Sequence, residues 1–147
     1  MKRLLLVLPA CFCLTLAAAD KPTLTEQLVG AFTAAWESRE VDAVYNLLAP
    51  DCVFRSPFQT HCGRDDIRET VLRWNLAHIH DTRNCVEEQS KVAGDFAYSV
   101  GRMDYSQYDD DGNVVHELKA NYIYVFTREP DREWKVQMMI FHEPRPD

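Results

Sequence analysis

The chain has 147 residues, 46% hydrophobic and 27% charged, the balance of one globular domain long enough to bury a core. Its formal charge of −7 argues against a binder that relies on non-specific attraction to nucleic acid or anionic membrane, because both need an excess of Lys and Arg.

The chain opens with the basic Met1-Lys2-Arg3, and Leu4–Ala18 follows as an apolar run broken by Pro9, Cys11, Cys13 and Thr15. Ala17-Ala18-Ala19 gives a small-x-small cleavage pattern, and the apolar run is shorter than the ~20 residues of a membrane span. Residues 1–19 therefore read as a secretory signal peptide, and residues 20–147 as a secreted domain. Cleavage removes Lys2 and Arg3 and no acid, taking the charge from −7 to −9. Cys52, Cys62 and Cys85 remain in the mature chain. An oxidising compartment favours a disulfide, and the odd count leaves one thiol over.

Thr23 and Glu26 fit a capping box, and Leu24, Leu28, Ala31, Phe32 and Ala35 follow at helical spacing with Trp36 beside them. Val41, Val44, Tyr45 and Leu48 predict a shorter second helix that Pro50 ends. Next comes Ala49–Gly63. Cys52-Val53-Phe54 has strand character, Ser56-Pro57-Phe58 turn character, and Gln59–Cys62 returns as a second short strand. A hairpin centred on Pro57 sets Cys52 opposite Cys62, at a distance a disulfide bridges. Cys62 with Cys85, or three buried thiols, are the alternatives. Gly63 opens a third helix, with Asp65 and Asp66 in its first turn. Ile67, Val71, Trp74 and His78 form one stripe on it, with Leu72, Leu76 and Ile79 alongside, so the helix is expected to be largely covered.

From Thr82 the period turns to alternation. Strands are predicted over Arg83–Lys91, Phe96–Tyr108, Val114–Thr127 and Trp134–His142, with turns at Gly94, Asp109–Asn113 and Pro130-Asp131. Leu118, Ala120, Tyr122, Tyr124 and Phe126 share one face of the third of these. Helices followed by a strand meander make an α+β domain with the helices on one face of a curved sheet.

Phe32–Glu37, Val41-Asp42-Ala43, Leu47–Phe54, Gly63–Arg68 and Trp134-Lys135-Val136 before His142 together resemble the nuclear transport factor 2-like superfamily, in its SnoaL-like and DUF4440 branch. The resemblance covers essentially all of the mature chain. It implies the cone-shaped, cystatin-like α+β fold: three N-terminal helices packed on a strongly bent antiparallel sheet around a pocket, often dimeric through the outer sheet face. It does not imply one function, since the superfamily holds isomerases, cyclases, dehydratases, association domains and members without known activity.

In the isomerase-like branch an Asp in the turn after the first strand acts as base, and Ser56 stands at the matching position here. A serine hydroxyl does not shuttle protons at neutral pH without an activating partner. The remaining acid–base candidates are His142 and His61, with Asp104 or Tyr105 on the long middle strand. His142 alternates in phase with Trp134, Val136, Met138 and Ile140. The abundance of large rings argues for a ligand cavity. Trp36, Phe54, Trp74, Tyr122, Tyr124, Met138 and His142 are its expected lining. No metal or other cofactor is expected: His78 and His80 diverge on a helix, and a calcium-loop alignment at Gly112 puts Gln107 and Leu118 at ligand positions. The expectation is a secreted homodimer that binds a small, mostly apolar molecule and neither nucleic acid nor membrane. An acid–base enzyme or a pure association domain is the alternative.

Overall fold

The computed structural model describes residues 21–143. The signal peptide expected at residues 1–19 lies outside the described residues.

Helix α1 spans Leu24–Glu37. Its capping box forms as expected: the Glu26 N–H donates to Thr23 Oγ1 (3.1 Å), and the Thr23 N–H donates to the Glu26 carboxylate (2.6 Å). The buried face is Thr25, Val29, Phe32 and Trp36, one residue round from the predicted stripe. Both stripes are helical, and the two largest rings decide between them by the apolar area they bury. Helix α2 covers only Val41–Tyr45, and Leu48 instead starts strand β1, Leu48–Arg55. Pro50 thus sits within β1, where the pairing register shifts, a place that tolerates a residue with no N–H to donate.

Strand β2 is Thr60–Cys62. Then come α3 (Arg64–Ile67), a π-helical turn (Arg68–Leu72) and α4 (Arg73–His78). The wide turn rotates the helix between its two halves. Ile67, Val71, Leu72 and Leu76 are buried, while Trp74 is turned out, 58% exposed, and stacks on His78 at 5.3 Å.

The four long strands are β3 (His80–Ala93), β4 (Phe96–Tyr108), β5 (Val114–Arg128) and β6 (Trp134–His142). The sheet order is β2-β1-β6-β5-β4-β3. It is mixed rather than wholly antiparallel, because β1 runs parallel to β6. Helix α1 covers the inward face, where Phe32 packs on Tyr124 at 5.4 Å between ring centres. Tyr122, Tyr124, Phe126, Val136 and Met139 complete this core with Leu48, Ala49 and Cys52. Gly101 on β4 is required by close approach: a Cβ there would lie 2.0 Å from the Val86 carbonyl oxygen and 2.8 Å from the Tyr122 hydroxyl.

Two register details correct the sequence reading. The hairpin pairs Val53 with Cys62 and Phe54 with His61, one residue out from a turn centred on Pro57. A one-residue slip moves a side chain to the other face, so Cys52 is buried, Cys62 is exposed, and Cys52, Cys62 and Cys85 are free thiols. In β6 a bulge at Gln137 shifts the pairing with β5. Val136, Met139 and Phe141 face inward, whereas Met138 is half-buried on the outer face and His142 is exposed.

Candidate functional site

β3 lies at one edge of the sheet, and its inward row is Asp81, Arg83, Cys85 and Glu87. An inward row this polar is unusual opposite a face of buried aromatic rings.

Arg83 and Asp81 side chains are 9% and 4% exposed. Arg83 donates from Nε and Nη2 to Asp81 Oδ2, each at 3.1 Å, and Trp36 Nε1–H donates to Asp81 Oδ1 at 3.1 Å. The guanidinium lies 3.8 Å from the centre of the Trp36 ring, with Phe141 at 5.8 Å and Tyr105 at 5.9 Å. A cation over ring faces and against a carboxylate is attracted by both. The space the rings were expected to enclose is therefore occupied at its centre by Arg83. Burial pushes the Tyr124 hydroxyl pKa up, and the neighbouring Arg83 cation only partly opposes it. Tyr124 Oη itself is buried without a well-formed hydrogen bond.

Alongside, α1 and β3 flank a cleft of about 480 Å³. Val29, Gly30, Thr33 and Ala34 of α1 form one wall, and Arg83, Cys85 and Val86 of β3 the other, with Tyr122 beneath. Gly30 keeps it open: nothing lies within 4 Å of where its Cβ would be. Three carboxylates, Glu26, Glu37 and Glu87, border it against the single cation Arg83. Burial raises the Cys85 thiol pKa, and Thr33 and Arg83 only partly offset this. The Tyr122 hydroxyl is likewise raised by burial, with Ser99 opposing.

Glu87 closes one end. Its carboxylate accepts hydroxyl hydrogen bonds from Thr25 (3.1 Å), Thr23 (3.3 Å) and Ser99 (2.7 Å). Burial alone would raise its pKa, but hydroxyls of Ser90, Ser99, Thr25 and Thr23 outweigh burial and hold it below the ordinary value.

The residues named from sequence fall into separate places. Trp36, Tyr122 and Tyr124 are buried inward, and half-buried Phe54 packs on Phe141 at 6.0 Å. Trp74, Met138 and His142 do not line the interior, for the π-turn and bulge reasons given above. Tyr105 is half-buried beside Arg83, while its neighbour Asp104 lies on the opposite, exposed face, across from Lys119. His61 is held elsewhere: Nδ1 is 3.1 Å from Asp66 and 3.0 Å from Thr70, and Nε2 is 2.9 Å from Gln59. Ser56 is a turn residue whose Oγ accepts from the N–H groups of Phe58 (3.3 Å) and Gln59 (3.2 Å). No group of three His, Cys, Asp or Glu suited to a metal occurs among the described residues. Sequence reasoning missed Asp81, Arg83 and Glu87. Their period-2 spacing was the available signal, obscured because Asp81 reads as the end of the preceding helix.

Solved structures carry the same fold at low identity. A ketosteroid isomerase-like protein from Erwinia carotovora atroseptica matches with a TM-score of 0.70 at 14% identity, over 83% of this chain and 95% of that one. A Xanthomonas campestris protein described as a calcium/calmodulin-dependent protein kinase II association domain matches with 0.71 at 18%, over 82% and 85%. A nuclear transport factor 2-like superfamily protein from Salmonella enterica serovar Typhimurium matches with 0.69 at 13%, over 82% and 88%. No curated protein matches the chain. The SnoaL-like domain matches residues 29–143, nearly all of the described residues, so this protein belongs to the SnoaL-like domain family and has the nuclear transport factor 2-like fold.

Proposed function

We propose that this protein binds a small molecule in the cleft between α1 and β3. The observation that carries this reading is the cleft itself: about 480 Å³, within the range of ligand pockets, with walls of mixed polar and apolar side chains. Val29, Ala34 and Val86 suit an apolar body, and Tyr122, Thr33 and Glu87 suit a few hydrogen-bonding groups. The ligand of this reading is thus apolar with a polar end, and it lies beside the cone's packed centre rather than within it. We propose in addition that the chain is secreted after cleavage near Ala19, which N-terminal sequencing of the exported protein tests.

Fragment binding followed by NMR tests the cleft. Saturable shifts of the Gly30, Thr33 and Cys85 amides, lost in Gly30→Trp, are expected. A fragment set that leaves these amides unmoved refutes the reading.

Association is the second reading, and the outer sheet face favours it. Val100, Ile123 and Ile140 align across β4, β5 and β6, and Tyr98, Val125 and Met138 form the next row. An apolar outer face of this kind suits a homodimer. Sedimentation of the wild type and of Ile123→Lys tests it: a dimer that becomes a monomer is expected, and a monomeric wild type refutes it.

A further inference from the structure

We propose that the interior of the cone is a recognition site for a small organic cation, a guanidinium or alkylammonium group, and that Arg83 of the chain itself fills this site in the present structure. The inference rests on the cleft reading, because the cleft is the way in. Four observations lead to it.

First, the surroundings of the Arg83 guanidinium form a receptor. Trp36 presents its ring face at 3.8 Å, Phe141 and Tyr105 flank at 5.8 and 5.9 Å, and Asp81 supplies the counter-charge. An ion pair needs only the carboxylate, whereas three rings around one cation are the arrangement that selects organic cations. Second, Trp36 Nε1–H holds Asp81 from the other side, so the carboxylate keeps its position when Arg83 leaves. Third, Tyr124 Oη is buried beside Arg83 without a well-formed hydrogen bond, Arg83 being the donor nearest to satisfying it. A ligand with its own N–H donors has an acceptor waiting there. Fourth, Arg83 also belongs to the wall of the cleft. Arg83 is thus the residue shared by the cleft wall and the ring cluster. In this proposal its side chain moves into the cleft and so vacates the cluster. The charge of the region fixes the sign of the ligand: Asp81, Glu26, Glu37 and Glu87 outnumber Arg83, so an anion is disfavoured.

The test follows the Trp36 indole N–H by NMR during titration with methylguanidinium, using the neutral methylurea as a control of the same shape. Arg83→Ala is expected to bind methylguanidinium about tenfold or more tightly than the wild type, the size of a desolvated cation–π and ion-pair contribution. Methylurea is expected to bind neither. Asp81→Asn in the Arg83→Ala background should remove the preference for the cation. Arg83→Met keeps the volume of the stem and serves if the Ala variant does not fold. Equal responses to methylguanidinium and methylurea overturn the proposal, as does equal affinity in the wild type and both Arg83 variants. Gly30→Trp separates the two readings. If Arg83→Ala binds the cation and Gly30→Trp changes nothing, the site stands and access through the cleft is refuted. If fragments bind the cleft while the Arg83 variants bind methylguanidinium and methylurea equally, the cation site is overturned and the cleft stands.

Discussion

Replacing Arg83 with Met removes a cation but keeps an apolar stem of similar length. Asp81, at 4% exposure, then retains only the Trp36 indole as partner in the described geometry. Breaking a buried pair from one side costs about 3–5 kcal/mol, because the remaining charge stays buried and uncompensated. For a domain of this size that lowers the melting temperature by roughly 10–20 °C. The double variant Asp81→Leu/Arg83→Met behaves differently. It has no stranded charge, and its main remaining defect is a Trp36 N–H without an acceptor, worth about 1–3 kcal/mol. The double variant is therefore expected to be more stable than Arg83→Met alone by about 2 kcal/mol. Urea unfolding followed by far-ultraviolet circular dichroism measures this, with unchanged m-values as the condition for comparison. A double variant as unstable as the single one, or more so, would falsify the reasoning, since Asp81 would then not be the group that Arg83 compensates.

Three other outcomes follow from the packing. Gly101→Ala should lose at least about 3 kcal/mol, and Tyr122→Phe should not rescue it in urea unfolding, because the nearest clash, at 2.0 Å, is with the backbone oxygen of Val86. Glu87 has a folded-state pKa below the ordinary 4.5, so it contributes stability above pH 4.5 that is lost as the pH falls through the folded value. Melting curves against pH should accordingly fall less steeply for Glu87→Gln than for the wild type in that acid range; parallel curves count against the hydroxyl cluster. In thiol titration without reductant, exposed Cys62 should react first and half-buried Cys85 later. Cys52, buried and pushed up to about 12, should react only on unfolding, and fewer than three reactive thiols after unfolding a chain of residues 20–147 would restore the disulfide.

Much of the fold was readable because local signals agree with the global one. The Thr23–Glu26 box, the Asp109–Asn113 turn and the limits of β4 and β6 come from side-chain chemistry next to the backbone it organises. The misses share a different origin. The π-turn at Arg68–Leu72 and the bulge at Gln137 each insert a residue relative to a regular period. Each changes the face of the residues beyond it, which is why Trp74 and His142 were expected inward. Tertiary packing, not local propensity, places such insertions. The same holds for Leu48, whose apolar side chain fits the end of a helix and the start of a strand equally well. The polar row of β3 was hidden for a simpler reason: its meaning depends on the aromatic rings of other elements opposite it, which spacing along β3 does not reveal.

The choice between binding and acid–base catalysis can be argued from the groups that face the cleft. An efficient proton-transfer residue has a pKa near the working pH. Glu87 is moved down from 4.5 by neighbouring hydroxyls, three of which donate to its carboxylate and occupy lone pairs a base would use. Tyr122 is moved up from 10.0 and Cys85 up from 9.0, both chiefly by burial. Each of the three is thus displaced away from neutrality, the reverse of what a catalytic site arranges. Arg83 is paired with Asp81, and Ser56, the residue expected at the isomerase-like base position, has its oxygen engaged by two backbone N–H groups. His61 keeps an imidazole, but against Asp66, Thr70 and Gln59 rather than in the cleft. Together with the carboxylates of Glu26 and Glu37, the groups on Glu87, Tyr122 and Cys85 give the cleft walls shape, charge and hydrogen-bonding capacity, which is what the proposed recognition uses.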